Sequence, residues 1–135
     1  MGLDVSHGAF GGAYSAFDRF RRFVATAAGV SWPPHDDPQL PRDRWIAPDG
    51  MTAETHPGLW LFFCASDCDG SFSPEEAGAM AKDLEALKPH AKAALDKMGE
   101  PGGHIAREGG FEAVLDRFIA GCRAAEAAGE NLEFA

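Results

Sequence analysis

The stretch Ala65-Ser66-Asp67-Cys68-Asp69-Gly70-Ser71-Phe72-Ser73-Pro74-Glu75-Glu76 makes the most specific chemical statement in this chain. An apolar run, Leu59-Trp60-Leu61-Phe62-Phe63, leads into it. A helical pattern leads out, from Pro74 to about Lys88, with Ala77, Met80, Ala81, Leu84 and Leu87 on one face. Between the two, side-chain oxygens recur at alternate positions around Gly70. The apolar run is too short for periodicity to separate helix from strand.

A twelve-residue calcium loop offers oxygens from its first, third, fifth, seventh and ninth positions and a bidentate Glu from the last, with Gly at the sixth. With Gly70 at the sixth position, Asp67, Asp69, Ser71, Ser73 and Glu76 fall on ligand positions, and Phe72 is the apolar anchor. Ala65 stands where the first Asp belongs. The stretch resembles an EF-hand with a damaged first ligand, over about thirty residues when a helix on each side is counted. That resemblance, with the preceding His56-Pro57-Gly58, favours a short helix for the apolar run. It implies a weakly bound divalent cation such as calcium, or none.

The same residues carry a metal-free reading. Ser73-Pro74-Glu75-Glu76 is a capping box with proline at the first helical position. Asp67 and Asp69 can close a turn before Gly70 without any ion.

With 135 residues and 45% hydrophobic content, the chain suits one domain, residues 1–135, with its own core. No apolar run approaches the length needed to cross a bilayer, and no secretory signal is visible. Three cysteines without a CxxC pair fit reduced thiols and a cytoplasmic setting. Cys68 lies in a polar turn with no base near it in sequence, whereas Cys122 falls on an apolar stripe. A net charge of −9 argues against phosphate-backbone binding, so nucleic acid is not the expected partner. A basic protein, a small molecule or a cation fits the charge better. Arg19, Arg21 and Arg22 form a basic cluster whose members point to different faces of a helix.

Leu3-Asp4-Val5-Ser6 alternates and reads as a strand, ending in a glycine loop, His7-Gly8-Ala9-Phe10-Gly11-Gly12. A helix follows from about Ala13 to Ala28, with Tyr14, Phe17, Phe20, Val24, Ala27 and Ala28 on its apolar face and Gly29 as its stop. The glycines lack phosphate-loop spacing. Ser31 to Pro57 is proline-rich but anchored by Trp32, Leu40, Trp45 and Ile46, which predicts an ordered loop over the core. Ala91 to Met98 reads as another helix. Phe111, Val114, Leu115, Phe118, Ile119 and Cys122 mark the clearest helix, with Gly129 after it. Leu132-Glu133-Phe134 alternates and is expected to pair with Leu3-Asp4-Val5. The predicted fold is therefore α+β: helix-dominated, with a small sheet made by the terminal strands and an EF-hand-like helix-loop-helix.

Five further segments are distinctive together: Gly2-Leu3-Asp4-Val5-Ser6-His7-Gly8, Tyr14-Ser15-Ala16-Phe17, Ser66-Asp67-Cys68-Asp69-Gly70, Gly102-Gly103-His104-Ile105 and Asn131-Leu132-Glu133-Phe134. Through them the chain resembles a family of small uncharacterised proteins encoded by bacteria and phages. The resemblance implies a common fold and a phage or mobile-element setting. It transfers no activity or catalytic residue.

His7 and His104 follow glycine-rich or strand-end turns. With Asp4, Asp67 and Asp69 they could supply nitrogen and oxygen ligands to a divalent metal. His35-Asp36-Asp37 reads as a solvated turn. Ser6 and His7, as consecutive strand residues, are expected on opposite faces and not as a dyad. Three functions follow. The first is an interaction module whose acidic loop is structural or weakly cation-binding. The second is a small metal-dependent hydrolase using His7, His104 and the Asp67/Asp69 pair. The third is a phage-associated modulator that sequesters a host protein or nucleotide.

Overall fold

The two ends of the chain lie side by side. Asp4 and Ala135 exchange backbone hydrogen bonds of 2.9 Å each, and the Ser6 amide donates to the Glu133 carbonyl at 2.9 Å. The computed structural model describes residues 2–32, 48, 50–66 and 69–135. Its elements are β1 (Gly2–Val5), β2 (Phe10–Ala13), α1 (Tyr14–Ala28), α2 (Pro57–Cys64), β3 (Gly70–Phe72), α3 (Pro74–Glu85), a 3₁₀ turn (Lys88–His90), α4 (Ala91–Met98), α5 (Gly103–Arg107), α6 (Phe111–Ala128) and β4 (Leu132–Phe134). This is the helix-dominated α+β fold expected from the periodicities, and its helix-loop-helix is α2–β3–α3.

The sheet is larger than the terminal pair. Its order is β2-β1-β4-β3, with every neighbouring pair antiparallel. Val5 lies opposite Phe134, and Ser71 lies opposite Glu133. Leu3, Val5, Phe10, Phe72, Leu132 and Phe134 are buried, while Asp4, Ser71 and Glu133 are exposed. Strand alternation thus assigns one face to the core and leaves a polar face outward.

The expected glycine loop after β1 is corrected here. Residues 6–9 make a tight hairpin turn, closed by the Ala9 amide on the Ser6 carbonyl at 3.2 Å. His7 and Gly8, at φ 61° and 70°, occupy its two left-handed positions. Such a turn matches the twist of paired strands, and histidine is among the few non-glycine residues found there. Phe10-Gly11-Gly12 has weak strand propensity and reads as loop, but the turn returns it alongside β1.

All ten phenylalanines of the chain lie in the core. Phe17 is fully buried, with ring centroids 5.0 Å from Phe10, 6.0 Å from Phe62, 6.3 Å from Phe118 and 5.9 Å from Phe134. One side chain of α1 thereby joins the hairpin, α2, α6 and the last strand. Burying each such ring is worth about 2 kcal/mol. The apolar faces read for α3 and α6 are buried, with Cys122 packed in the core; on α1, Phe17, Phe20 and Val24 are buried and Tyr14, Ala27 and Ala28 half-buried. Burial pushes the Cys122 thiol up to about 12. Of the proline-rich segment, Trp32 and Met51 return to the core. Leu40, Trp45, Ile46 and His35-Asp36-Asp37 lie outside the described residues. Helix α5 is not anticipated by the sequence, because its five residues are too few for a stripe. Among the described residues, no helix is long and apolar enough to cross a membrane.

Candidate functional site

Helix α2 delivers the chain to the acidic loop, and both of its ends are finished by other helices. No side chain from its own N-cap residue, His56, caps it. Instead the Asp83 carboxylate, from α3, accepts the Gly58 and Leu59 amides at 2.8 and 3.1 Å. A Cβ on Gly58 would collide with the Ala79 carbonyl, so glycine lets α2 lie close against α3. At the other end, Arg21 of α1 donates through Nη1 to the carbonyls of Ala65 at 2.6 Å, Phe63 at 3.4 Å and Phe62 at 3.5 Å. An anion at the first amides and a cation at the last carbonyls both complement the helix dipole. Arg21 is only 2% exposed. Its guanidinium carbon sits 4.7 Å from the Phe17 ring centroid and 4.5 Å from that of Trp32.

The far end of the loop is closed by its own sequence. Ser73 Oγ accepts the Glu76 amide at 3.1 Å, and Glu76 Oε1 accepts the Ser73 amide at 2.9 Å. This is the capping box read from the sequence. Between the two ends, Ser71 is turned towards β4. Its hydroxyl donates to Glu133 Oε1 at 2.9 Å and accepts from Asn131 Nδ2 at 3.2 Å. Asp69 is exposed, its amide 3.4 Å from Ser66 Oγ. A cavity of about 220 Å³ lies against this surface, lined by Leu61, Ser66, Asp69, Ser71, Phe72 and Glu76. That volume suits an ion or a side-chain tip more than a drug-sized ligand. A larger hollow of about 340 Å³, between the end of α1 and α4, touches none of the candidate ligand residues.

A second polar network starts at the hairpin tip. Ser6 Oγ and His7 Nδ1 are 3.0 Å apart, and His7 Nε2 is 3.0 Å from Glu130 Oε1. Ser6 Oγ also accepts the Glu133 amide at 2.9 Å. The expectation that Ser6 and His7 face apart is therefore wrong. It assumes extended backbone, and His7 leaves that region at the turn. The network ties β1, the end of α6 and β4 together.

The proposed ligands are distributed as follows. Ser73 and Glu76 serve the capping box, Ser71 serves β4, and Asp69 lines the cavity; Asp67 and Cys68 lie outside the described residues. His7 is bound to Ser6 and Glu130. His104, on α5, has its ring 6.3 Å from Phe10 and its Nε2 3.9 Å from Glu108. A Cβ on Gly12 would come within 2.6 Å of His104 Nε2, so the histidine packs against bare backbone of β2. Among the described residues, no group of three or more His, Cys, Asp or Glu side chains could hold a metal ion.

Sequence reasoning missed Arg21 and Asp83. For Arg21 a signal existed: it lies four residues after Phe17 and one after Phe20, on the apolar stripe and not beside it. Arg22, by contrast, pairs with Asp18 at 2.9 Å on the half-buried flank. Asp83 carries no comparable signal, since its partners are backbone amides of a distant segment. Comparison with family models, with curated proteins and with solved structures finds no match for this chain.

Proposed function

We propose that this protein is an acidic interaction module. Its outward sheet face and the adjoining loop cavity receive a Lys- or Arg-bearing segment of a partner protein. The EF-hand-like loop is a structural element that binds calcium no tighter than about the millimolar range. The observation that carries the reading is the grouping of exposed carboxylates on and beside one sheet face. Asp4 and Glu133 stand on that face, with Glu130 after α6 and Asp69 before β3. Among the described residues, the helices cover the opposite face. A phage-associated role in sequestering a host protein is one setting for such a module, and its charge favours a protein over a nucleotide.

A fluorescent ten-residue Lys/Arg peptide, titrated at low salt, tests the reading. Saturable binding is expected, weakened about tenfold or more both in Glu130→Gln/Glu133→Gln and on raising salt to about 0.5 M. Absence of saturable binding, or unchanged affinity in the double variant, overturns it.

One observation favours a hydrolase. The order Ser6 hydroxyl, His7 imidazole, Glu130 carboxylate matches an acyl-transfer triad, with the ring nitrogens exchanged: Nδ1 faces the serine and Nε2 the carboxylate. It needs no metal and does not use His104. Covalent labelling of Ser6 by a fluorophosphonate, lost in His7→Ala, would promote this reading over the module. An unlabelled Ser6 leaves the network as a structural tie.

A further inference from the structure

We infer that Arg21 is a resident organic cation that holds the end of α2, where the acidic loop begins, in place of a metal ion, so that this end keeps its position independently of calcium. The inference builds on the reading of the loop as structural, and names what holds its entry.

The described residues do not fit a calcium ion. Such an ion takes six to eight oxygens, with a carboxylate at the first loop position and a bidentate one at the last. Here the first position is Ala65, whose only oxygen, the carbonyl, is the closest acceptor of Arg21 Nη1, at 2.6 Å. At the last position, Glu76 has Oε1 engaged by the Ser73 amide. At the ninth, the Ser73 hydroxyl accepts the Glu76 amide at 3.1 Å. Among the described residues, oxygens at the first, ninth and last positions are thus already engaged within the protein.

The same geometry supplies a positive charge from inside. The last carbonyls of a helix lack intrahelical partners and carry the negative end of its dipole. Arg21 brings a cation to them from beneath the loop. The guanidinium also has aromatic neighbours in Phe17 and Trp32, and a cation close to aromatic faces gains further when water is excluded. A planar, forked guanidinium can stack and donate at once, whereas a lysine ammonium cannot. One side chain thus joins α1, the end of α2 and Trp32, which opens the proline-rich segment.

The test is chemical rescue. Arg21→Ala removes the side chain beyond Cβ, and N-ethylguanidinium reproduces the part lost. The Tm of Arg21→Ala is expected to fall by about 10 °C, taking roughly 3 °C per kcal/mol for a chain of this size. At about 10 mM, N-ethylguanidinium should recover several degrees, while ethylammonium and calcium at the same concentration recover none. An unchanged Tm in Arg21→Ala overturns the inference, as does recovery by calcium equal to that by N-ethylguanidinium. Should Arg21→Ala fail to fold, Arg21→Lys keeps the charge but not the fork. Its Tm should fall by about half as much, and a Tm equal to the native value overturns the inference. These outcomes do not depend on peptide binding, so the loop device and the interaction reading fail separately.

Discussion

Helices α2 and α3 border the same loop but are terminated in opposite ways. The start of α3 is finished by residues three apart: Ser73 and Glu76 bond to each other's backbone amides. Both ends of α2 are finished by charged side chains from elsewhere, Asp83 at its first amides and Arg21 at its last carbonyls. The difference follows from composition. Pro57-Gly58-Leu59-Trp60-Leu61-Phe62-Phe63-Cys64 contains no residue that can cap a helix, because nearly every position is spent on burial. Helix α3, with polar residues to spare, closes its own start. An apolar one must borrow, and what it borrows fixes it to its neighbours.

The largest expected effect comes from removing what both helices lean on. Strand β3 continues the loop and pairs with β4, which in turn pairs with β1. Deleting Asn131–Ala135 removes an interior strand and the buried Leu132 and Phe134. That loss is expected to exceed about 4 kcal/mol, enough to abolish cooperative unfolding in a marginally stable chain. A sharp thermal transition with unchanged Tm would show that the loop does not rely on the terminal pairing.

Next come the borrowed caps of α2. Asp83→Ala leaves the Gly58 and Leu59 amides without their charged acceptor and should cost about 2 kcal/mol by denaturant unfolding. The local cap of α3 is worth less. Ser73→Ala should cost about 1 kcal/mol, with Glu76 retained. If Ser73→Ala proved more damaging than Asp83→Ala, the contrast between self-capped and borrowed termini would be reversed.

The smallest effect sharpens the contrast through an exposed pair. Arg123 of α6 bonds Glu85, the last residue of α3, through Nε and Nη2, both at 2.9 Å. The hydrogen bonds from Arg123 hold the Glu85 carboxyl below its ordinary value of 4.5. A carboxyl depressed in the folded state stabilises above its unfolded value, and that contribution is lost as pH falls through the folded one. Both side chains are about 40% exposed, so the gain is about 0.5 kcal/mol or less. The Tm difference between the native protein and Glu85→Gln should be small at pH 7 and vanish as pH drops below 4.5.

What could be read from the chain alone was what depends on near neighbours. The stripes of α1, α3 and α6, the stops at Gly29 and Gly129, the capping box at Ser73 and the alternation of the terminal strands all arise within a few residues. Helical and strand periods project such patterns directly onto one face. Even the pairing of β1 with β4 followed from two short alternating runs. Strand β2 was hidden because Gly11 and Gly12 carry no strand signal, and it exists through the His7-Gly8 turn. Strand β3 was hidden inside a loop motif and exists because β4 offers it a partner. The acidic loop showed its oxygens in sequence, but not where they point. That depended on Glu133 and Asn131, some sixty residues away, and on Arg21, 44 residues before Ala65. A ligand set is a matter of direction, and only the tertiary structure, by turning Ser71 to β4 and bringing a guanidinium to the Ala65 carbonyl, decided it.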